Sequence, residues 1–236
     1  MTEWTKTLGE LVVENPARSR VLEKFELDYC CGGKATLRDA CTRKELCIET
    51  VLSEIHACDQ SKNQSELDPT KMTLTELANH IEQTHHAYLH TELPRLSNLL
   101  DKVVTAHGNH VPYLTELQAL FTDFRVDLEH HMAKEEMMLF PWIRRNEAAP
   151  STEAHTSSLA EPIAAMEAEH EAAGDALEQF RALTSGYITP PQACGTFRAL
   201  LDGLATLEWD MHQHVHLENH LLFPRALAGQ GVKYRG

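Results

Sequence analysis

His131-Met-Ala-Lys-Glu135-Glu-Met-Met-Leu139-Phe140-Pro141 returns later in the chain as His214-Val-His-Leu-Glu218-Asn-His-Leu-Leu222-Phe223-Pro224, and both stretches fit H-x-x-x-E-x-x-x-L-F-P. Residues four apart on an α-helix lie about 40° apart around the axis, so each His and Glu share one face, a turn apart. A single such pair is usually a solvated surface pair. Two copies in the same Leu-Phe-Pro context point instead to a common interior. The Leu-Phe-Pro parts read as core packing and helix termination, because proline lacks the N–H that a continuing helix needs.

Outward from these motifs, helical apolar spacing runs through roughly 73–107, 112–146, 159–185 and 190–228. The breaks carry Gly108, Asn109 and Pro112, then Pro150 and Ser151, then Gly186, Pro190 and Pro191. Connections this short join antiparallel neighbours, so an all-α, antiparallel four-helix bundle is expected. His86 lies 45 residues before His131 and His170 lies 44 before His214, which makes the bundle a duplicated helical hairpin. Each hairpin would deliver two imidazoles and one carboxylate, and together they would form a dinuclear metal site.

Imidazole with carboxylate suits iron or manganese, whereas a structural zinc site closes with four tetrahedral ligands, often cysteine. Iron is expected. The set is richer in nitrogen than bundles built on Glu-x-x-His motifs and further glutamates, so small ligands such as dioxygen or nitric oxide can approach a less anionic centre. Spacing alone leaves His85 and His86 both open, since His85 lies four residues from Ile81 and from Leu89. His80, His90, His110, His130, His212, His216 and His220 read as polar-face residues or as partners that orient a ligand through its second ring nitrogen.

The N-terminal part reads as short helices: Thr7 with Glu10 and Thr42 with Glu45 form capping boxes, and Asn15 precedes Pro16. A polar stretch with Pro69 follows. The expected division is a helical domain over 1–58, a linker over 59–71 and the metal-binding bundle over 72–230. Within the first domain, Leu27-Asp-Tyr-Cys30-Cys31-Gly32-Gly33-Lys34 presents two thiols at a glycine turn. If Lys34, Arg38 and a helix N-terminus lie close, they would lower a thiol pKa and make Cys30 or Cys31 a redox or transfer thiol. The opposing reading is a small apolar plug.

The 236 residues carry 35 acidic and 21 basic side chains, a formal charge of -14, which disfavours binding to a phosphate backbone. No run of eighteen apolar residues and no leader pattern appears, so neither membrane nor secretion is expected and the cytoplasm is the default. Cys30, Cys31, Cys41, Cys47, Cys58 and Cys194 follow no zinc or disulfide spacing, and reduced thiols are expected.

Asp28-Tyr29-Cys30-Cys31-Gly32-Gly33-Lys34, His85-His86-Ala-Tyr-Leu-His-Thr-Glu-Leu93-Pro94, Met166-Glu-Ala-Glu-His170 and the two repeated motifs carry a resemblance over nearly the whole chain. The chain resembles the iron-sulfur cluster repair di-iron proteins, with a ScdA-like N-terminal domain and a hemerythrin-like C-terminal domain. The resemblance implies metal ligands at His86, His131, Glu135, His170, His214 and Glu218, preferring His86 over His85 by counting back from Leu93-Pro94. It implies two oxo-bridged iron ions and a cysteine pair at Cys30 and Cys31. It also implies a cytoplasmic protein that restores iron-sulfur clusters after nitrosative or oxidative stress, by donating labile iron or reacting with nitric oxide. Two other readings fit the same residues: reversible capture of nitric oxide or dioxygen, and reduction of nitric oxide to nitrous oxide. The expected partners are damaged iron-sulfur proteins and these small ligands, and a homodimer is compatible with the sequence.

Overall fold

The computed structural model describes residues 3–60, 68–148 and 159–229. The fold is all-α, and among the described residues no strand forms beyond one isolated bridge between Thr7 and Thr36. Its helices are α1 (Leu8–Glu14), α2 (Ser19–Lys24), α3 (Leu37–Arg43), α4 (Ile48–Gln60), α5 (Leu74–Ile81), α6 (Ala87–His107), α7 (Tyr113–Lys134), α8 (Phe140–Ala148), α9 (Ala160–Leu183), α10 (Gly195–Leu217) and α11 (Phe223–Ala228). Three π-helical turns, Glu82–His86, Glu135–Leu139 and Glu218–Leu222, join α5 to α6, α7 to α8 and α10 to α11 without a break. The chain forms two compact units, Ala78–Met211 and Met1–Leu77 with His212–Gly236, and their boundary falls inside α10.

Ala78–Met211 is an antiparallel four-helix bundle. Leu89, Leu93, Leu96, Leu100 and Val103 recur at three- and four-residue steps along α6 and are all buried, which is the stripe an amphipathic helix turns to a core. Gln118 of α7 donates to Asp101 of α6 at 2.8 Å, while at the other end of the pair His90 meets Glu136 at 3.1 Å, so the two helices run oppositely. Phe121 and Phe124 of α7 pack on Phe180 of α9, and Arg181 of α9 pairs with the buried Glu208 of α10. Gly203 brings α10 back to α6, where a Cβ would come 2.6 Å from Leu96 Cδ2. Leu-Phe-Pro does not terminate the helices: α8 and α11 continue through Pro141 and Pro224. Both prolines follow a π turn, whose shifted i→i+5 bonding absorbs the missing N–H. Leu139, Phe140, Leu222 and Phe223 are buried, as core packing requires.

The second unit packs its short helices around Leu8, Leu11, Leu22, Leu37, Val51 and Ile55. Thr7 and Glu10 form the capping box reciprocally, and Asn15 caps the turn that starts at Pro16. Thr42 and Glu45 do not. Thr42 instead donates to the Arg38 carbonyl inside α3, Glu45 takes φ 53°, and the cap of α3 is Thr36, which accepts from the Asp39 N–H. Arg18 reaches Asp59 at 2.8 Å and Glu14 at 3.0 Å, closing α1 and α4 over the second short helix. The unit also contains the last turn of α10 and all of α11, with Arg225 donating to the Met72 carbonyl at 2.6 Å. Residues 61–67 of the expected linker, the connection with Pro150 and Ser151, and residue 230 of the expected bundle domain lie outside the described residues.

Candidate metal centre

Four of the proposed ligands converge within Ala78–Met211. His86 Nε2 and His131 Nε2 each lie 3.4 Å from Glu135 Oε2, and His170 Nε2 lies 3.1 Å from His131 Nε2. The donor atoms of His131, Glu135 and His170 all fall within 4.8 Å of one another. All four side chains are buried, Glu135 completely. In the other unit His214 Nε2 lies 3.1 Å from Glu218 Oε1, both side chains fully buried on consecutive turns. Each repeated motif thus brings its own His and Glu together, as the four-residue spacing requires.

The outer ring nitrogens fix the direction of the inner ones. His86 Nδ1 is 2.9 Å from Glu136 Oε1 and His131 Nδ1 is 2.9 Å from Glu169 Oε2. A carboxylate only accepts, so each Nδ1 carries the proton and each Nε2 turns a lone pair toward Glu135. Burial works against ionised Glu169, but hydrogen bonds from Lys134 and His131 outweigh it and hold its pKa below the usual carboxylate value. Two imidazole lone pairs aimed at one buried carboxylate repel unless a cation sits among them. The donor set therefore fits a metal ion, and its mixture of nitrogen and oxygen suits iron.

Each π turn begins or ends at a proposed ligand: His86 closes the first, Glu135 opens the second and Glu218 opens the third. Such turns are rare and collect at functional sites. The first also turns His85 and His86 to different partners. Both rings are buried, but His86 faces Glu135 and stacks on Phe140, while His85 Nδ1 meets Asp210 Oδ1 at 2.9 Å. Glu136, Glu169 and Asp210 had no role in the sequence reading, though Glu136 and Glu169 each adjoin a ligand.

The cysteine turn sits on the second motif inside the same unit. His220 Nε2 donates to the Cys30 carbonyl at 2.9 Å and His216 Nδ1 approaches the Tyr29 carbonyl at 3.4 Å. The buried Tyr29 hydroxyl donates to Glu23 at 2.7 Å and accepts from Gln213. Burial, reinforced by His220, pushes His216 down to about 3, so this ring is neutral. Only glycine fits under His220: a Cβ on Gly9 would come 2.5 Å from its ring, and one on Gly33 2.3 Å from both its Nε2 and the Tyr29 carbonyl. All six cysteines are thiols. Cys30 is not acidified as the basic neighbours suggested. Cys31, burial and Asp28 push it well above the ordinary thiol range, while Arg38 stacks over Trp4.

Residues 77–226 match the family model described as the hemerythrin HHE cation binding domain, and residues 4–59 match ScdA_N, a domain of unknown function. Fold and donor set together define a hemerythrin-type cation-binding protein with a small N-terminal helical domain. Over 223 residues the chain is 37% identical to the iron-sulfur cluster repair protein YtfE of Escherichia coli O157:H7, covering 94% of this chain and 97% of that one. It is 36% identical, with the same coverage, to the protein of that name from Shigella boydii serotype 18. The chain belongs to the YtfE family of hemerythrin HHE proteins. No helix among the described residues is long and apolar enough to cross a membrane.

Proposed function

We propose that His86, His131, Glu135, His170, His214 and Glu218 hold two oxo-bridged iron ions, and that the protein repairs iron-sulfur clusters damaged by nitrosative or oxidative stress. The observation that carries the reading is the convergence of His86, His131 and His170 on the fully buried Glu135.

Bound iron would supply an exchangeable metal able to take a small ligand such as nitric oxide. The protein's own groups set how firmly it is held. Glu136 and Glu169 keep the His86 and His131 lone pairs inward, and Lys134 keeps Glu169 ionised. The buried apolar shell, including Phe140 against His86, restricts water. Cys30 and Cys31 assist transfer of iron to a damaged cluster protein in the cytoplasm. The relatives' shared name, iron-sulfur cluster repair protein, supports this assignment.

The test is restoration of a nitric-oxide-damaged iron-sulfur enzyme by the iron-loaded protein, beside free iron at the same concentration. Recovery that exceeds free iron supports the reading. Recovery with free iron alone overturns it, and stoichiometric nitric oxide uptake or nitrous oxide release without recovery redirects it to capture or reduction.

A further inference from the structure

The cysteine turn contains a third donor that the repair reading does not use. Asp28 Oδ1 accepts from the Cys30 thiol at 3.0 Å and from the Cys30 N–H at 2.9 Å, while Oδ2 accepts from the Gly32 N–H at 2.7 Å. The two sulfurs are 3.9 Å apart. A disulfide needs about 2.05 Å. Two thiolates on one tetrahedral ion, each about 2.3 Å from it, stand about 3.8 Å apart. The carboxylate oxygen and both sulfurs lie within 4.8 Å of one another.

We propose that Asp28, Cys30 and Cys31 form a metal site separate from the bundle ligands, which binds one thiophilic divalent cation through both sulfurs and one carboxylate oxygen. Cargo iron is the cation of interest if the repair reading holds, and on that point alone the proposal rests on it. Asp28 is the residue that makes the pair a chelate. Its carboxylate reaches the thiols because position 32 has no side chain: a Cβ there would lie 2.9 Å from Oδ2. The opposite side of the turn is pinned by His220 at the Cys30 carbonyl. The carboxylate and the Cys30 backbone are therefore held in place before any ion arrives.

Electrostatics favours a cation at this point. Cys30 is 4% exposed, and its ionised sulfur would face the carboxylate across 3.0 Å. The proton now between them spares the buried Cys30 sulfur a negative charge beside the carboxylate. A divalent ion replaces that proton and the one on Cys31: cation, carboxylate and two thiols become a complex of net charge -1 with two protons released. Cys31 is partly exposed, which gives the ion an entry path and leaves a coordination position facing outward for exchange. No electron transfer is involved.

The experiment titrates the full-length, iron-loaded protein with Co2+ under anaerobic conditions and reads thiolate-to-cobalt charge transfer in the near ultraviolet. About one Co2+ per chain beyond the bundle iron, with release of about two protons per ion, is expected. Cys30→Ser/Cys31→Ser should abolish the band, and Asp28→Asn should keep it but weaken binding about tenfold or more. Iron content and helical circular dichroism should stay unchanged in both variants. Absence of the band in the wild type, its survival in the double serine variant, or an undiminished affinity in Asp28→Asn overturns the site. Cluster repair is read separately: repair without cobalt binding overturns this site and keeps the repair reading, and cobalt binding without repair does the reverse.

Discussion

The two copies of H-x-x-x-E-x-x-x-L-F-P agree at the His, Glu, Leu, Phe and Pro positions and differ at those between. Ala133 and Met137 in the first copy correspond to His216 and His220 in the second, and Glu136 corresponds to Asn219. In the first copy Met137 and Met138 stand 78% and 63% exposed, and Glu136 orients His86. In the second, His220 donates to the Cys30 carbonyl and His216 approaches the Tyr29 carbonyl. The first motif thus carries exposed methionines where the second turns histidines to the backbone of the cysteine turn.

The largest expected effect tests whether the copies are equivalent as ligands. Glu135→Ala and Glu218→Ala should each strip the protein of most of its iron, read by metal analysis of the purified variants. Loss in one variant only would break the equivalence. Next comes the support of the imidazoles. Glu169→Gln keeps the shape but removes the charge opposite His131, and it should lower iron affinity about 10–100-fold in competition with a chelator.

A smaller effect sharpens the difference between the copies. Gly9→Ala should destabilise the protein by about 1–3 kcal/mol in denaturant unfolding, because its methyl group enters the His220 ring. His220→Ala in the same chain should relieve that cost. Gly33→Ala should not be relieved, since its methyl group also meets the Tyr29 carbonyl. Rescue of both, or of neither, would contradict the seating of the turn on His220.

The smallest effect concerns the thiols. Cys194 accepts hydrogen bonds from His107 and the backbone N–H groups of α10, which bring it down to about 7. Alkylation of Cys194 should therefore rise through pH 7 as its thiolate forms. Cys30, pushed upward, should stay protonated and react at least about tenfold more slowly at that pH. His107→Ala should move the Cys194 profile to higher pH.

Much of this was legible in the sequence because it is local or periodic. The i, i+4 pairs lie within one turn, the breaks carry Gly108 and Pro112, and the leucine stripe of α6 follows the helical period. The π turns were not legible, since the apolar pattern of Leu74–His107 reads the same with or without one wider turn. Hence spacing could not separate His85 from His86, which depend on Asp210 and Glu135 in other helices. The pairing of the cysteine turn with His216 and His220 joins residues about 190 positions apart, and nothing in either segment announces the other. Basic neighbours in sequence likewise misled the reading of Cys30. Arg38 turns away to Trp4, and the carboxylate two residues before the thiol lies closest to it.

Metal analysis with the optical spectrum of the full-length protein is the decisive measurement for the proposed pair of irons. About two irons per chain, with near-ultraviolet absorption from an oxo bridge, is the predicted result. One zinc per chain, or no metal retained after anaerobic iron loading, would contradict it.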